Sequence, residues 1–252
     1  MRIPRCYLDQ PLAVGREISL DERAHRHVVQ VLRLRTGAPL ILFNGEGGEY
    51  TATLTQAERR TSAVRIETHA SRETRPVLPI TLAQGIAKGD RMDYSLQKAT
   101  ELGVSRIQPV ITRRTVGGDD DRRLDKRMAH WRGVIISACE QCGRNDIPEL
   151  LPPAPLAGWL GGYRACLDAN RHGGLGLVLD PRATHGLTDI GDEPASVILL
   201  IGPEGGLDEN EIGQAIHEGM TPVRLGPRVL RTETAGVAAL AVIQALWGDL
   251  GH

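Results

Sequence analysis

Val197-Ile198-Leu199-Leu200-Ile201-Gly202-Pro203-Glu204-Gly205-Gly206-Leu207-Asp208 is the stretch that decides the fold of this chain. The apolar run Val197 to Ile201 reads as a strand, the glycines after it as a loop, and Asp208 as the N-cap of a helix. Glu211, three residues on, completes a capping box, in which the cap and the third helical residue satisfy each other's backbone amides. Ile212, Ala215 and Ile216 form the inner face of that helix, and Gly219 ends it.

The same alternation extends outward. Ile80 to Ala87 and Arg106 to Thr112 read as strands, with a helix from Asp90 to Leu102 between them that Gly103 caps. After Asp121, Leu124, Met128, Trp131, Ile135, Ala138 and Cys142 recur in steps of four and three, one continuous buried stripe of a long helix. Leu175 to Leu179 and Pro222 to Leu225 add two strands. Strands alternating with helices build a parallel sheet, so the class is α/β. The final helix, about Glu233 to Trp247, is apolar almost all round, which predicts burial on every side or a place in a subunit interface.

Residues 1–72 follow a different pattern of short strands. Leu40 to Phe43 ends at Asn44-Gly45 and Glu49 to Thr55 follows, a hairpin, while Ser62 to Thr68 alternates again. Val28, Val31, Leu32 and Leu34 fall at roughly helical spacing within His25 to Leu34. Several strands and one helix in so short a segment predict a small barrel. The polar stretch Ser71 to Pro76 sets the boundary, giving domains 1–72 and 73–252.

Composition narrows the function. The chain has 252 residues, 41% of them hydrophobic, so a large core forms. No run approaches the roughly 20 apolar residues of a membrane span, and Met1 to Arg5 lacks the apolar core of a secretory signal, so a soluble cytoplasmic protein is expected. The net charge of −1 hides a local excess: residues 1–35 carry seven arginines against four acids. Arginine suits planar phosphate contacts, although an ordinary solvated surface has the same composition. Cys139 and Cys142 are the one close pair among four cysteines, too few for a structural zinc site, and no metal is expected.

Three strand ends carry special residues: Leu179-Asp180-Pro181, Gly202 to Gly206, and Gly226-Pro227-Arg228. Ligands of open parallel sheets bind outside the carboxyl ends of strands, and glycines there admit close backbone approach. Neither a dinucleotide fingerprint nor a phosphate loop is present, and Glu204 would repel a triphosphate. A nucleoside-like ligand without phosphates fits this pocket.

Leu200-Ile201-Gly202-Pro203-Glu204-Gly205-Gly206-Leu207 and Leu225-Gly226-Pro227-Arg228-Val229-Leu230-Arg231-Thr232-Glu233-Thr234-Ala235 resemble the two signature segments of the SPOUT methyltransferases. More narrowly they resemble the RsmE type, which methylates N3 of a uridine in 16S ribosomal RNA. The opening Met1-Arg2-Ile3-Pro4-Arg5, the segment His27 to Arg33, Lys88 to Asp93, Gln97 to Gly103 and Glu140-Gln141-Cys142-Gly143-Arg144 extend that likeness over the whole chain.

The resemblance implies an α/β domain with a deep trefoil knot, preceded by a PUA-like barrel, in a homodimer that acts on the 30S subunit. It implies S-adenosylmethionine as cofactor, in a pocket lined by Leu179, Ile201, Gly202, Gly206, Leu225, Gly226, Leu230 and Ala235. Attack by uracil N3 requires a base or donors that stabilise the uracilate, and Glu204, Arg228, Arg231 and Arg114 are the candidates, the last able to come from the partner subunit. Glu204 accepting the proton and Glu204 merely bonding amides at a helix start are both open. The RNA contacts implied are Arg2, Arg5, His27 and Arg33, with Arg91 and Lys98 on one face of the first large helix. The alternatives are a SPOUT enzyme for another RNA and a non-catalytic RNA-binding protein with a vestigial knot.

Overall fold

The computed structural model describes residues 3–72, 74–115, 121–169, 173–191 and 193–251. They divide into two compact units, Met1–Arg75 with Ile136–Ile147, and Pro76–Ile135 with Pro148–His252.

In the first unit β1 (Arg5–Tyr7) runs parallel to β3 (Pro39–Phe43), which continues antiparallel into β4 (Glu49–Ala57) and β5 (Ser62–Ala70). The short β2 (Glu17–Ser19) pairs with β5, giving the order β1-β3-β4-β5-β2. Alternate residues Leu40 and Leu42, Ala52 and Leu54, and Val64 and Ile66 turn inward and meet Leu8, Ala24 and Val28 in one core.

The helix expected over His25 to Leu34 is only partly regular. α1 (Glu22–His25) starts on Asp21, whose carboxylate accepts the Ala24 amide at 2.7 Å, and passes at once into a π-helical stretch, Arg26–Val31. The Leu32 amide reaches back five residues to the His27 carbonyl, at 2.9 Å. This wider turn breaks the helical period, so Val28 is buried while Val31 and Leu32 stand exposed.

Residues Ile136–Ile147 supply this unit with partners for the buried Arg5 and the half-buried Arg23. Arg5 is 6% exposed. Its guanidinium pairs with Glu49 at 2.6 Å and donates to the Asn145 amide oxygen and, at 3.3 Å, to the Arg144 carbonyl. Glu140 accepts from the Tyr7 amide (3.0 Å) and pairs with Arg23 (2.9 Å).

The second unit is built on a parallel sheet. In chain order it comprises β6 (Ile80–Gly85), α2 (Asp90–Glu101), β7 (Arg106–Ile111), α3 (Asp121–Cys142, whose last turns belong to the first unit), β8 (Glu149–Leu150) and β9 (Ala154–Pro155). It continues with α4 (Leu156–Ala169), β10 (Gly174–Leu179), β11 (Ser196–Ile201), α5 (Glu209–His217), β12 (Thr221–Val223) and α6 (Thr232–Trp247). The strand order is β12-β10-β11-β6-β7-β8, with β9 also on β7. Every residue of β11 is buried, as a strand covered on both faces must be. Gly103, at φ +78°, closes α2 in the left-handed conformation.

α6 packs against α2, and Gln244 donates to the Leu102 carbonyl at 2.9 Å. Burial on every side is not found within the chain. Gly236, Ala239, Leu240 and Ile243 face inward, whereas Thr234, Ala245 and Leu246 are exposed.

Tyr163 of α4 is 1% exposed, and its hydroxyl has no hydrogen-bond partner among the described residues. It sits where a Cβ on Gly176 of β10 would stand, so the glycine makes its room. A buried donor without a partner forfeits about 1–3 kcal/mol. Tyr163→Phe is therefore expected to stabilise the chain by about 1 kcal/mol, read as a higher midpoint of urea unfolding. A lowered midpoint would mean the hydroxyl is satisfied.

Candidate functional site

The carboxyl ends of β10, β11 and β12 open onto a cavity of ≈ 930 Å³. Leu179 reaches it from β10; Ile201, Gly202 and Gly206 from β11 and its loop; Leu225, Gly226 and Leu230 from the loop after β12; and Ala235 from α6. The structure thus brings together all eight residues expected to line a cofactor pocket.

The glycine loop is set by its backbone. The Gly206 amide donates to the Pro203 carbonyl at 2.8 Å, and Gly206 takes φ +69°. A Cβ on Gly202 would lie 2.7 Å from the Leu207 nitrogen and 2.8 Å from the Gly206 carbonyl carbon, closer than backbone tolerates. Gly206 and Gly226 are different. Both have positive φ, and a Cβ at either would meet no atom nearer than 4.0 Å, so each presents bare backbone to open space. Asp208 and Glu211 form the capping box the sequence predicts, at 2.8 and 2.9 Å.

Two residues that sequence reading missed fasten this loop. The Thr232 hydroxyl donates to the Gly202 carbonyl (2.5 Å) and accepts from the Gln84 amide (3.1 Å), which also donates to the Gly85 carbonyl (3.0 Å). Gln84 is fully buried and Thr232 nearly so. One signal was available: Gln84 is the lone amide side chain of the Ile80 to Gly85 strand, in which Thr81 is the one other polar side chain.

Glu204 accepts from the Lys88 amide at 2.9 Å and from Arg91 at 3.0 Å. Partial burial pulls its pKa up, but the Lys88 and Glu204 amides and the Arg91 guanidinium outweigh that and hold the carboxyl below its ordinary value. Arg91 also lies 4.0 Å from Glu233. Arg114 of the same chain donates to the Gly205 carbonyl at 2.6 Å, and both it and the exposed Arg228 line the cavity. Arg231 is the exposed N-cap residue of α6 and does not line it.

The residues expected to touch RNA fare unevenly. Arg2 lies outside the described residues. Arg5 is corrected: buried and committed to Glu49 and Asn145, it has no face left for a phosphate. His27 is half-buried on the π-helical stretch, and Arg33 is exposed at φ +54°, a conformation side chains seldom adopt. Arg91 is bound to Glu204, and Lys98 to Glu101 at 2.9 Å.

No cluster of metal-ligating side chains occurs among the described residues, nor any helix long and apolar enough to cross a membrane. Cys6, Cys139 and Cys142 are free, and burial pushes the Cys139 thiol up to about 12.

Known proteins resemble this chain over nearly its whole length. The RNA methyltransferase domain family matches residues 73–244, and the RNA methyltransferase PUA domain family matches residues 20–67. Ribosomal RNA small subunit methyltransferase E of Buchnera aphidicola from Schizaphis graminum is 33% identical, over 99% of this chain and 98% of its own. The enzyme of the same name from Bacillus subtilis is 31% identical over 88% and 87%. Its counterpart from Neisseria gonorrhoeae, solved bound to S-adenosylmethionine, is 40% identical and superposes with a TM-score of 0.88 over 98% of this chain and 99% of that one. A protein from Legionella pneumophila, solved with the same cofactor, is 40% identical with a TM-score of 0.92, covering 99% and 100%.

Proposed function

Because this chain belongs to the ribosomal RNA small subunit methyltransferase E family, and so is an S-adenosylmethionine-dependent ribosomal RNA methyltransferase, we propose that it methylates N3 of one uridine in 16S RNA. The observation that carries the reading is the cavity itself. Gly206 and Gly226 turn bare backbone toward it, and Leu179, Ile201, Leu225 and Leu230 supply apolar walls. That combination fits a neutral adenosine moiety, bound by backbone hydrogen bonds and apolar contact. The eight lining residues expected from the sequence are proposed as its contacts. Further parts of the reading are a trefoil knot formed by the segments after β11 and β12, a barrel closed by the five strands of the first unit, and action in the cytoplasm on the assembled 30S subunit. A homodimer is supported by Ala245 and Leu246, apolar side chains left exposed on α6.

When bound, S-adenosylmethionine supplies an electrophilic methyl group. The chain's task is to make uracil N3 nucleophilic, which requires loss of its proton. In this reading Arg114, held on the Gly205 carbonyl, and Arg228, exposed at the cavity, stabilise negative charge on the uracil oxygens. Arg231, off the cavity, takes at most a supporting part in this scheme. Glu204 is a weak base because its pKa is depressed, and its bonds to Lys88 and Arg91 make it a latch for the glycine loop.

A depressed pKa means that the latch is complete above the ordinary glutamate value of about 4.3 and is lost only as pH falls through the lower folded value. No limb of the pH–rate profile near neutrality then belongs to Glu204. Glu204→Gln should keep turnover at pH 7 within about threefold of wild type and weaken cofactor affinity more than turnover. Loss of a general base costs about 10²–10⁴ in rate. A turnover drop of that size with unchanged cofactor affinity would make Glu204 the base.

The function is tested by methyl transfer to free 16S RNA and to 30S subunits, with the product nucleoside identified. The expected product is 3-methyluridine, and its absence from both substrates overturns the uridine-N3 reading.

A further inference from the structure

Charge around the cavity does not balance evenly. Four acids line it, and each is already matched. Asp180 pairs with Arg182 at 3.3 Å, Glu209 with Arg182 at 2.7 Å, Asp208 with Arg113 at 3.2 Å, and Glu204 with Arg91 at 3.0 Å. Arg114 gives one nitrogen to the Gly205 carbonyl. Arg224 and Arg228 remain, both exposed and lining the cavity, and neither pairs with a carboxylate among the described residues.

Arg228 sits in a loop exposed over four consecutive residues, Gly226 to Val229. Arg224 stands on firmer ground. Its amide donates to the His185 carbonyl at 3.0 Å, its carbonyl accepts from the Leu187 amide at 3.3 Å, and it forms a parallel bridge with Gly186. One residue earlier, the Val223 carbonyl accepts from the Asp180 amide at 3.0 Å. The side chain therefore projects from a backbone pinned on both polar groups, and the planar guanidinium loses less entropy per hydrogen bond in gripping an anion.

We propose that Arg224 is a phosphate clamp that holds the RNA backbone beside the target nucleotide at the mouth of the cavity. The assignment rests on the chain acting on ribosomal RNA. A base that is to be methylated inside a pocket must leave its stack, and its sugar-phosphate chain is then drawn to the pocket's rim. A cation with no acid to neutralise it meets that chain there. The phosphodiester is its complement, since uracil carries no charge in the ground state.

The test measures binding of unmethylated 16S RNA across a salt series, with affinity for S-adenosylmethionine measured separately by calorimetry. For single strands each neutralised phosphate contributes about 0.7 to the slope of log affinity against log salt. Arg224→Gln is expected to reduce that slope by about 0.7 and to raise the RNA KM about five- to tenfold, with kcat and cofactor affinity within twofold of wild type. Arg224→Lys keeps the charge and should keep most of the slope, which a purely structural role for the arginine would not produce. An unchanged slope in Arg224→Gln overturns the clamp. So does a fall in cofactor affinity without a change in slope, which would assign Arg224 to the cofactor's carboxylate. Failure of the wild-type protein to methylate 16S RNA would remove the functional reading instead, while the salt slope still decides the clamp.

Discussion

Gly202→Ala is expected to lower methyl transfer by about a hundredfold or more while the chain still folds. The new methyl would stand 2.7 Å from the Leu207 nitrogen and 2.8 Å from the Gly206 carbonyl carbon, both backbone atoms that no rotamer change can move. The loop must open. Opening it drags the Gly202 carbonyl off Thr232 and swings Gly206 from its place on the cavity. A misplacement of about 1 Å costs roughly two orders of magnitude in rate when reacting groups must be aligned. The local overpacking should cost about 1–3 kcal/mol of stability, which leaves a folded protein to assay. Calorimetry with S-adenosylmethionine alongside the rate measurement separates binding from chemistry. Wild-type cofactor affinity and rate in the alanine variant would show that the loop's geometry is unimportant.

Thr232→Val is the second large effect, and it acts through hydrogen bonding rather than bulk. Valine has the same shape, so packing is kept, but the Gly202 carbonyl loses its donor and the Gln84 amide loses one acceptor. Each buried group left unpaired costs about 1–3 kcal/mol, and together about 3 kcal/mol is expected in urea unfolding. Thr232→Ser keeps the hydroxyl and should recover most of the loss. If the valine variant unfolds at the wild-type midpoint, the bridge contributes nothing to stability.

The contrast between these two sites shows what the sequence makes legible. Gly202 was identifiable because a glycine-rich turn at the end of an apolar strand is local information, and so was the Asp208–Glu211 capping box. The parallel sheet followed from apolar runs alternating with helical periods. Thr232 and Gln84 lie 148 residues apart, and no periodicity announces their bond. Glu204 likewise reads as a candidate base from its loop alone, because its bonds to Lys88 and Arg91 come from more than a hundred residues earlier. Arg5 misled for the same reason. An arginine in a basic segment reads as surface, but Glu49 and Asn145 take it into the interior. The π-helical stretch escaped because Val28, Val31, Leu32 and Leu34 fit an α-helical spacing whether or not the turn widens there.

The discontinuity of the first unit has a consequence for how the chain is made. Synthesis runs from the amino end, so strands β1 to β5 are complete by Ala70, while Ile136–Ile147 is added roughly seventy residues later. At about 5–20 residues per second, that interval is roughly 4–14 s. Throughout it Arg5 has Glu49 but not Asn145, and Arg23 has the Tyr7 carbonyl but not Glu140, so each lacks one of its partners in the finished unit. The nascent amino-terminal segment therefore cannot reach its final form as it leaves the ribosome. A fragment ending at Arg75 would be held at that same unfinished stage.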